Sequence, residues 1–164
     1  MSRLESFIRR MVAQRDSLDM VAAMIGDIPG PVLELGLGNG RTYDHLRERL
    51  PEREIFVFDR AIRAHPTCVP PARYLIIGEI RDTLAFCGPR VGEPAALIHC
   101  DLGTGDATTD LATKSWVSPL IDERLAAGGI VMSGLELALA AYEAIPLPAG
   151  VKPGRYFIYR KPAA

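Results

Sequence analysis

A chain of 164 residues has the size of one domain and is too short for a nucleotide-binding domain joined to a separate substrate domain. Its composition, 48% hydrophobic and 24% charged, is globular, and no apolar run approaches the roughly 18 residues that a membrane span needs. The 19 Lys and Arg against 20 Asp and Glu are spread along the chain, leaving a net charge of −1 and no electrostatic footprint for nucleic acid.

Residues 1–10 mix Arg3, Glu5, Arg9 and Arg10 with apolar residues and lack a secretory pattern. The cysteines Cys68, Cys87 and Cys100 are odd in number, far apart and without a C-x-x-C pair, which suits a reducing compartment and not a disulfide framework or zinc site. A cytoplasmic protein without a membrane partner is expected, and self-association is left open.

Along the chain, Leu4, Phe7, Ile8, Met11 and Val12 recur at helical spacing, and Leu18, Val21, Ala22 and Ile25 resume it after a polar break at Asp16 and Ser17. One or two helices within residues 1–28 are predicted, stopped by the prolines of Asp27-Ile28-Pro29-Gly30-Pro31. Five apolar runs follow: 32–35, 55–58, 74–77, 95–100 and 130–133. They alternate little, as strands covered on both faces do, and most gaps between them hold a crossover helix. A mostly parallel α/β sheet with helices on both faces, a three-layer αβα arrangement, is the resulting fold class. The final run, residues 155–161, does alternate and is aromatic, which predicts an antiparallel edge strand with a partner near Ala144 to Leu147.

The chemistry concentrates after the first strand, in Glu34-Leu35-Gly36-Leu37-Gly38-Asn39-Gly40, which runs into a helix over residues 41–50. Glycines at such a turn let backbone amides approach a ligand, because they tolerate positive φ and carry no Cβ. Asp59 closes the second strand just over 20 residues on, where a carboxylate can accept ribose hydroxyls. Dinucleotide dehydrogenases share that acid, but their glycines follow G-x-G-x-x-G. Here the spacing is G-x-G-x-G, and Arg41 stands where their third glycine would be. Glu34 also suits a cationic ligand better than a diphosphate.

Residues 32–40 resemble the first motif of class I S-adenosylmethionine-dependent methyltransferases, and the strand order matches over about residues 30–135. The resemblance implies a doubly wound, Rossmann-like sheet and S-adenosyl-L-methionine as cofactor. It places Glu34, Gly36, Leu37, Gly38 and Asn39 at the methionyl part, Asp59 at the ribose, and Arg60 beside the adenine. Glu79 and Ile80 would bound the adenine, and Asp101 and Leu102 would line the transfer centre. The domain then divides into a helical segment (1–28), a cofactor core (30–135) and a C-terminal helix and strand (136–164), all within one unit, 1–164. Acceptor specificity would come from residues 1–25, 102–116 and 134–142, and with no inserted domain a small-molecule acceptor is expected, with a peptide or protein side chain second.

The sequence departs from the better-defined subfamilies. It has no Asn/Asp-Pro-Pro-Tyr motif after the fourth strand, and Gly134-Leu135-Glu136 stands where catechol-type enzymes carry an Asp-Asn pair, so no metal is expected at Asp101, Asp106 and Asp110. Asp101 and His99 are the candidates for a general base, although His99 also reads as a hydrogen-bonded structural residue. Trp116 and Tyr142 read as packing residues, and Arg47, Arg49 and Arg53 as a solvated helix face. Two other readings stay open: a nucleotide-binding oxidoreductase domain of the NAD type, and a non-catalytic S-adenosylmethionine-binding module.

Overall fold

The computed structural model describes residues 2–163; Met1 and Ala164, the ends of the expected 1–164 domain, lie outside the described residues. The chain opens with one helix, α1 (Arg3–Met24), whose first turn is closed by the Ser2 hydroxyl accepting the Glu5 N–H at 3.0 Å. The polar break does not split it into two: Asp16 points outward to Arg15, while Ser17 is buried. Arg53 fastens the end of this helix, its guanidinium donating to the carbonyls of Ile25, Ile28 and Gly30 at 2.9, 2.6 and 2.7 Å. The carbonyls at a helix C-terminus have no partners within the helix, so this arginine answers a structural demand. That corrects the solvated-face reading for Arg53; Arg47 and Arg49 pair at the surface with Asp44 and Asp19.

Strands β1 (Val32–Leu35), β2 (Ile55–Asp59), β3 (Leu75–Ile77), β4 (Ala95–Cys100) and β5 (Leu125–Ser133) run parallel. Helix α2 (Arg41–Arg49) follows β1, α3 (Ile80–Ala85) and α4 (Gly88–Val91) follow β3, and α5 (Ala107–Arg124) follows β4, whereas β2 reaches β3 through two short 3-10 turns. With β6 (Glu143–Ile145) and β7 (Phe157–Arg160) they form one seven-stranded sheet of order β3-β2-β1-β4-β5-β7-β6. The predicted partner for the last strand is present as β6, but β7 is not the edge: it lies antiparallel between β5 and β6. The aromatic run is therefore flanked on both sides, with Ile158 buried.

The C-terminal helix expected within residues 136–164 is not formed. The described residues contain no helix beyond α5. Leu135, Leu137 and Leu139 are buried while Glu136, Ala138 and Ala140 are exposed, a period of two that belongs to extended chain despite good helix formers. The Ala138 N–H is taken by the Ser118 hydroxyl of α5 at 3.0 Å, so the segment's hydrogen bonding is tertiary.

Side chains sort onto two faces by strand alternation. Leu33, Leu35, Ile98, Cys100 and Val131 pack in the layer with α3 and α5. Val32, Leu97, Ile130 and Met132 pack in the layer with α1 and α2. Glu34 and His99 share the phase of this second set, and both are fully buried. Their strands bring them into register as direct neighbours across β1 and β4.

Candidate functional site

The parallel strands all end at one rim, where open α/β sheets place their ligand crevices. At that rim Gly36, Gly38 and Gly40 have φ of +94°, +51° and +80°. Gly40 is needed for packing as well as for conformation, since a Cβ there would lie 2.6 Å from the Cys68 Cβ and 2.8 Å from its carbonyl oxygen. At Gly38 a Cβ would meet nothing within 4 Å, and this residue borders open space. A Cβ on Gly36 would press on Leu102 and on the Asp101 carbonyl at 3.2 and 3.3 Å, so its absence lets the ends of β1 and β4 approach.

Asp59 is tied to this turn. Its Oδ2 accepts the N–H groups of Leu37 and Gly38 at 2.8 and 3.1 Å, and its Oδ1 accepts that of Ala61 at 3.2 Å. An ionised carboxylate offers roughly four lone-pair directions. Three are used, and the remaining one is on Oδ1.

Beneath the turn, Glu34 holds three elements together. One oxygen accepts the Thr42 hydroxyl of α2 and the other bonds His99 Nδ1 of β4 at 2.7 Å, all three residues being buried. The Glu34–Thr42 bond closes the glycine turn from strand to helix. Burial, the largest influence on His99, pulls its pKa down, but the charge and hydrogen bond of Glu34, helped by Asp101, outweigh it and the net shift is upward. The ring therefore holds its proton to higher pH than a free imidazole does, and its Nε2 has no partner among the described residues.

Above the turn lies a cavity of about 440 Å³, a common size for a small-ligand site. Of the residues singled out from sequence, Gly36, Leu37, Gly38, Asn39, Asp59, Arg60, Ile80, Asp101 and Leu102 line it. Glu34 and His99 do not: they lie under the turn. Glu79 is not on the wall either; it is exposed at the N-cap position of α3, where its side chain makes no capping bond. Asp106 and Asp110 face their own loop, where hydrogen bonds to Thr109 and to Thr104 with Gly105 lower their pKa values. No cluster of metal-binding side chains occurs among the described residues.

Several wall residues escaped the sequence reading. Arg10, Met11 and Gln14 come from α1, Arg41 and Thr42 from α2, and Tyr156 from the segment before β7. The α1 set was within reach, because Phe7, Arg10, Met11 and Gln14 follow i, i+3, i+4, i+7 spacing; Tyr156 had no local signal. Gln14 Nε2 donates to Asp101 Oδ2 at 3.2 Å, linking α1 to the end of β4.

A family model described as S-adenosyl-L-methionine methyltransferase matches residues 1–161, nearly the whole chain. The chain belongs to that methyltransferase family. Its S-adenosyl-L-methionine cofactor is at odds with the NAD-type alternative, and its membership of a methyltransferase family with a non-catalytic module. The chain is similar to an S-adenosyl-L-methionine methyl transferase from Silicibacter pomeroyi DSS-3, with 46% identity over 98% of this chain and 99% of that one and a TM-score of 0.90. Human methyltransferase-like protein 13 in complex with SAH shares the fold at 13% identity, 98% and 81% coverage and a TM-score of 0.55. So does the sugar N-methyltransferase KedS8 from Streptoalloteichus sp. ATCC 53650, at 16% identity, 88% and 61% coverage and a TM-score of 0.52. No curated protein matches.

The cleft of this methyltransferase fits an adenosyl cofactor: it has a carboxylate with one free acceptor direction, apolar Ile80 and Leu102, and a turn open at Gly38. Tyr156 supplies no base there. Burial and the Asp101 charge raise its phenol to about 12, so it stays protonated at neutral pH despite the opposing pull of Arg10 and Arg155. Cys100, buried behind the rim, is likewise pushed to about 12 and remains a thiol. Among the described residues no helix is long and apolar enough to cross a membrane.

Proposed function

We propose that this rim cleft is the active site and that it methylates a small molecule. The observation carrying the proposal is that Asp59, the glycine turn and the end of β4 line one cavity. When bound, the cofactor supplies an electrophilic methyl group on a sulfonium. The residues have to hold donor and acceptor in line and exclude water, and in-line alignment can account for much of the acceleration.

In this reading Gly36, Leu37, Gly38 and Asn39 face the methionyl end, Asp59 accepts a ribose hydroxyl on its free lone pair, and Arg60 and Ile80 flank the adenine. Leu102 closes the transfer centre, and Asp101, oriented by Gln14, is the carboxylate available to take a proton from the acceptor. Glu34 acts as a positioning residue by fixing the turn through Thr42, with His99 behind it. A cavity of about 440 Å³, walled in part by α1, α2 and Tyr156, supports a compact acceptor over a folded protein. Unpaired thiols at Cys68, Cys87 and Cys100 support action in the cytoplasm.

The test is production of S-adenosylhomocysteine from S-adenosylmethionine with fractionated cell extract. Turnover should follow the fraction below about 1 kDa. Turnover found only with the macromolecular fraction would overturn the small-molecule assignment.

A further inference from the structure

The arginines on and beside α1 differ in what holds them. Four outside the cleft pair with carboxylates, Arg9 with Glu5, Arg15 with Asp16, Arg47 with Asp44 and Arg49 with Asp19, while Arg53 bonds backbone carbonyls and Arg3 is exposed. Arg10, Arg41 and Arg60, which line the cavity, have no carboxylate or hydrogen-bond partner for their guanidinium groups among the described residues, and of these Arg60 is the one placed beside the adenine. The two acids of the wall are already engaged, Asp59 by backbone N–H groups and Asp101 by Gln14.

The other two, Arg10 and Arg41, lie against one ring. Arg10 Cζ is 5.4 Å and Arg41 Cζ 5.9 Å from the centroid of Phe7. Such cation–π contact restrains an arginine without consuming its charge or its N–H donors. Phe7 thus restrains two cationic forks that would otherwise repel and disperse. Arg41 also stands in the first turn of α2, whose Gly40 cap contributes no side-chain bond, so the positive end of the helix dipole adds to the field there.

We infer that Arg10 and Arg41, spaced by Phe7, form an anion subsite for the methyl acceptor, which carries a carboxylate or a phosphate. The assignment rests on the methyltransferase reading of the cleft and adds the acceptor's class to it. The cofactor brings one carboxylate of its own, and the uncapped N–H groups at the start of α2 are placed to receive it. Two arginine forks then remain for the acceptor. A negatively charged acceptor also gains from the sulfonium beside it.

Calorimetric titration of the protein saturated with S-adenosylhomocysteine, using benzoate and inorganic phosphate as separate probes, tests this. At least one probe should bind with a Kd on the order of millimolar, and benzoate against phosphate distinguishes the two anion classes. The R10Q/R41Q variant should weaken that binding at least about tenfold, as expected for losing charge-assisted hydrogen bonds, while S-adenosylhomocysteine affinity stays within about threefold. R10K/R41K, which keeps the charges, should recover part of the binding and controls for misfolding.

The inference is overturned if neither anion binds or if binding survives in R10Q/R41Q. It is equally overturned if the variant loses affinity for S-adenosylhomocysteine but not for 5′-methylthioadenosine, since the arginines would then serve the cofactor's own carboxylate. If the native protein does not bind S-adenosylhomocysteine, the methyltransferase reading of the cleft fails. The same anion titrations on ligand-free protein then read the arginine pair by itself.

Discussion

Asp59→Ala is expected to weaken S-adenosylhomocysteine binding by about a hundredfold or more, because a carboxylate hydrogen bond to ribose is lost together with the anchor of the glycine turn. The second loss follows from geometry: the Leu37 and Gly38 N–H groups both end on Asp59 Oδ2. The variant should therefore also melt a few degrees lower before any ligand is added, since a loss of about 1 kcal/mol shifts the Tm of a chain this size by about 2–4 °C. Isothermal titration and thermal unfolding read the two effects separately. Unchanged affinity would remove Asp59 from the ribose role, and unchanged Tm with lost affinity would mean that its bonds to the turn contribute little.

The other large effect is expected at His99. His99→Leu removes one partner of a fully buried pair and leaves Glu34 with only Thr42, a type of change that costs about 3–5 kcal/mol. The pH dependence has a definite sign. The folded-state pKa of His99 is raised above its ordinary value, so its protonation stabilises the fold fully below about pH 6.5. That contribution is lost as pH rises through the folded-state value.

Urea unfolding of the native protein and of His99→Gln at several pH values from 6 to 9 measures this difference. The native protein's advantage over the variant should shrink as pH increases. An advantage that grows with pH would mean that the folded-state pKa of His99 is lowered, and would contradict the upward shift caused by Glu34.

These two residues also show what the sequence could and could not display. The glycine turn, Asp59 and the parallel strands were legible because each has a local physical cause: positive φ without a Cβ, an acid at a strand end, and apolar runs covered on two faces. The pairing of Glu34 with His99 was not, because it depends on the register of β1 against β4, which no local pattern specifies. His99 could be read as either base or structural residue until that register placed it under the turn, away from the cavity wall.

The same reason explains the errors near the C-terminus. Leu135 to Ala141 is rich in helix formers, yet burial at alternate leucines and the tie from Ala138 to Ser118 hold it extended. The aromatic run at residues 157–160 carries the alternation of a strand but no sign that β6 would cover its outer side. Arg53 looked like another solvated arginine because its partners are backbone carbonyls, which a sequence does not distinguish. The cleft was visible where consecutive residues build it and hidden where α1 and Tyr156 arrive from far along the chain.

The most direct measurement is a crystal structure of the complex with S-adenosylhomocysteine. The account predicts a ribose hydroxyl on Asp59 Oδ1, the amino-acid end over Gly36 to Asn39, and the adenine against Ile80, with Glu34 still bonded to Thr42 and His99 below. A cofactor lying away from the Gly36–Gly40 turn, or a ribose that leaves Asp59 untouched, would contradict it.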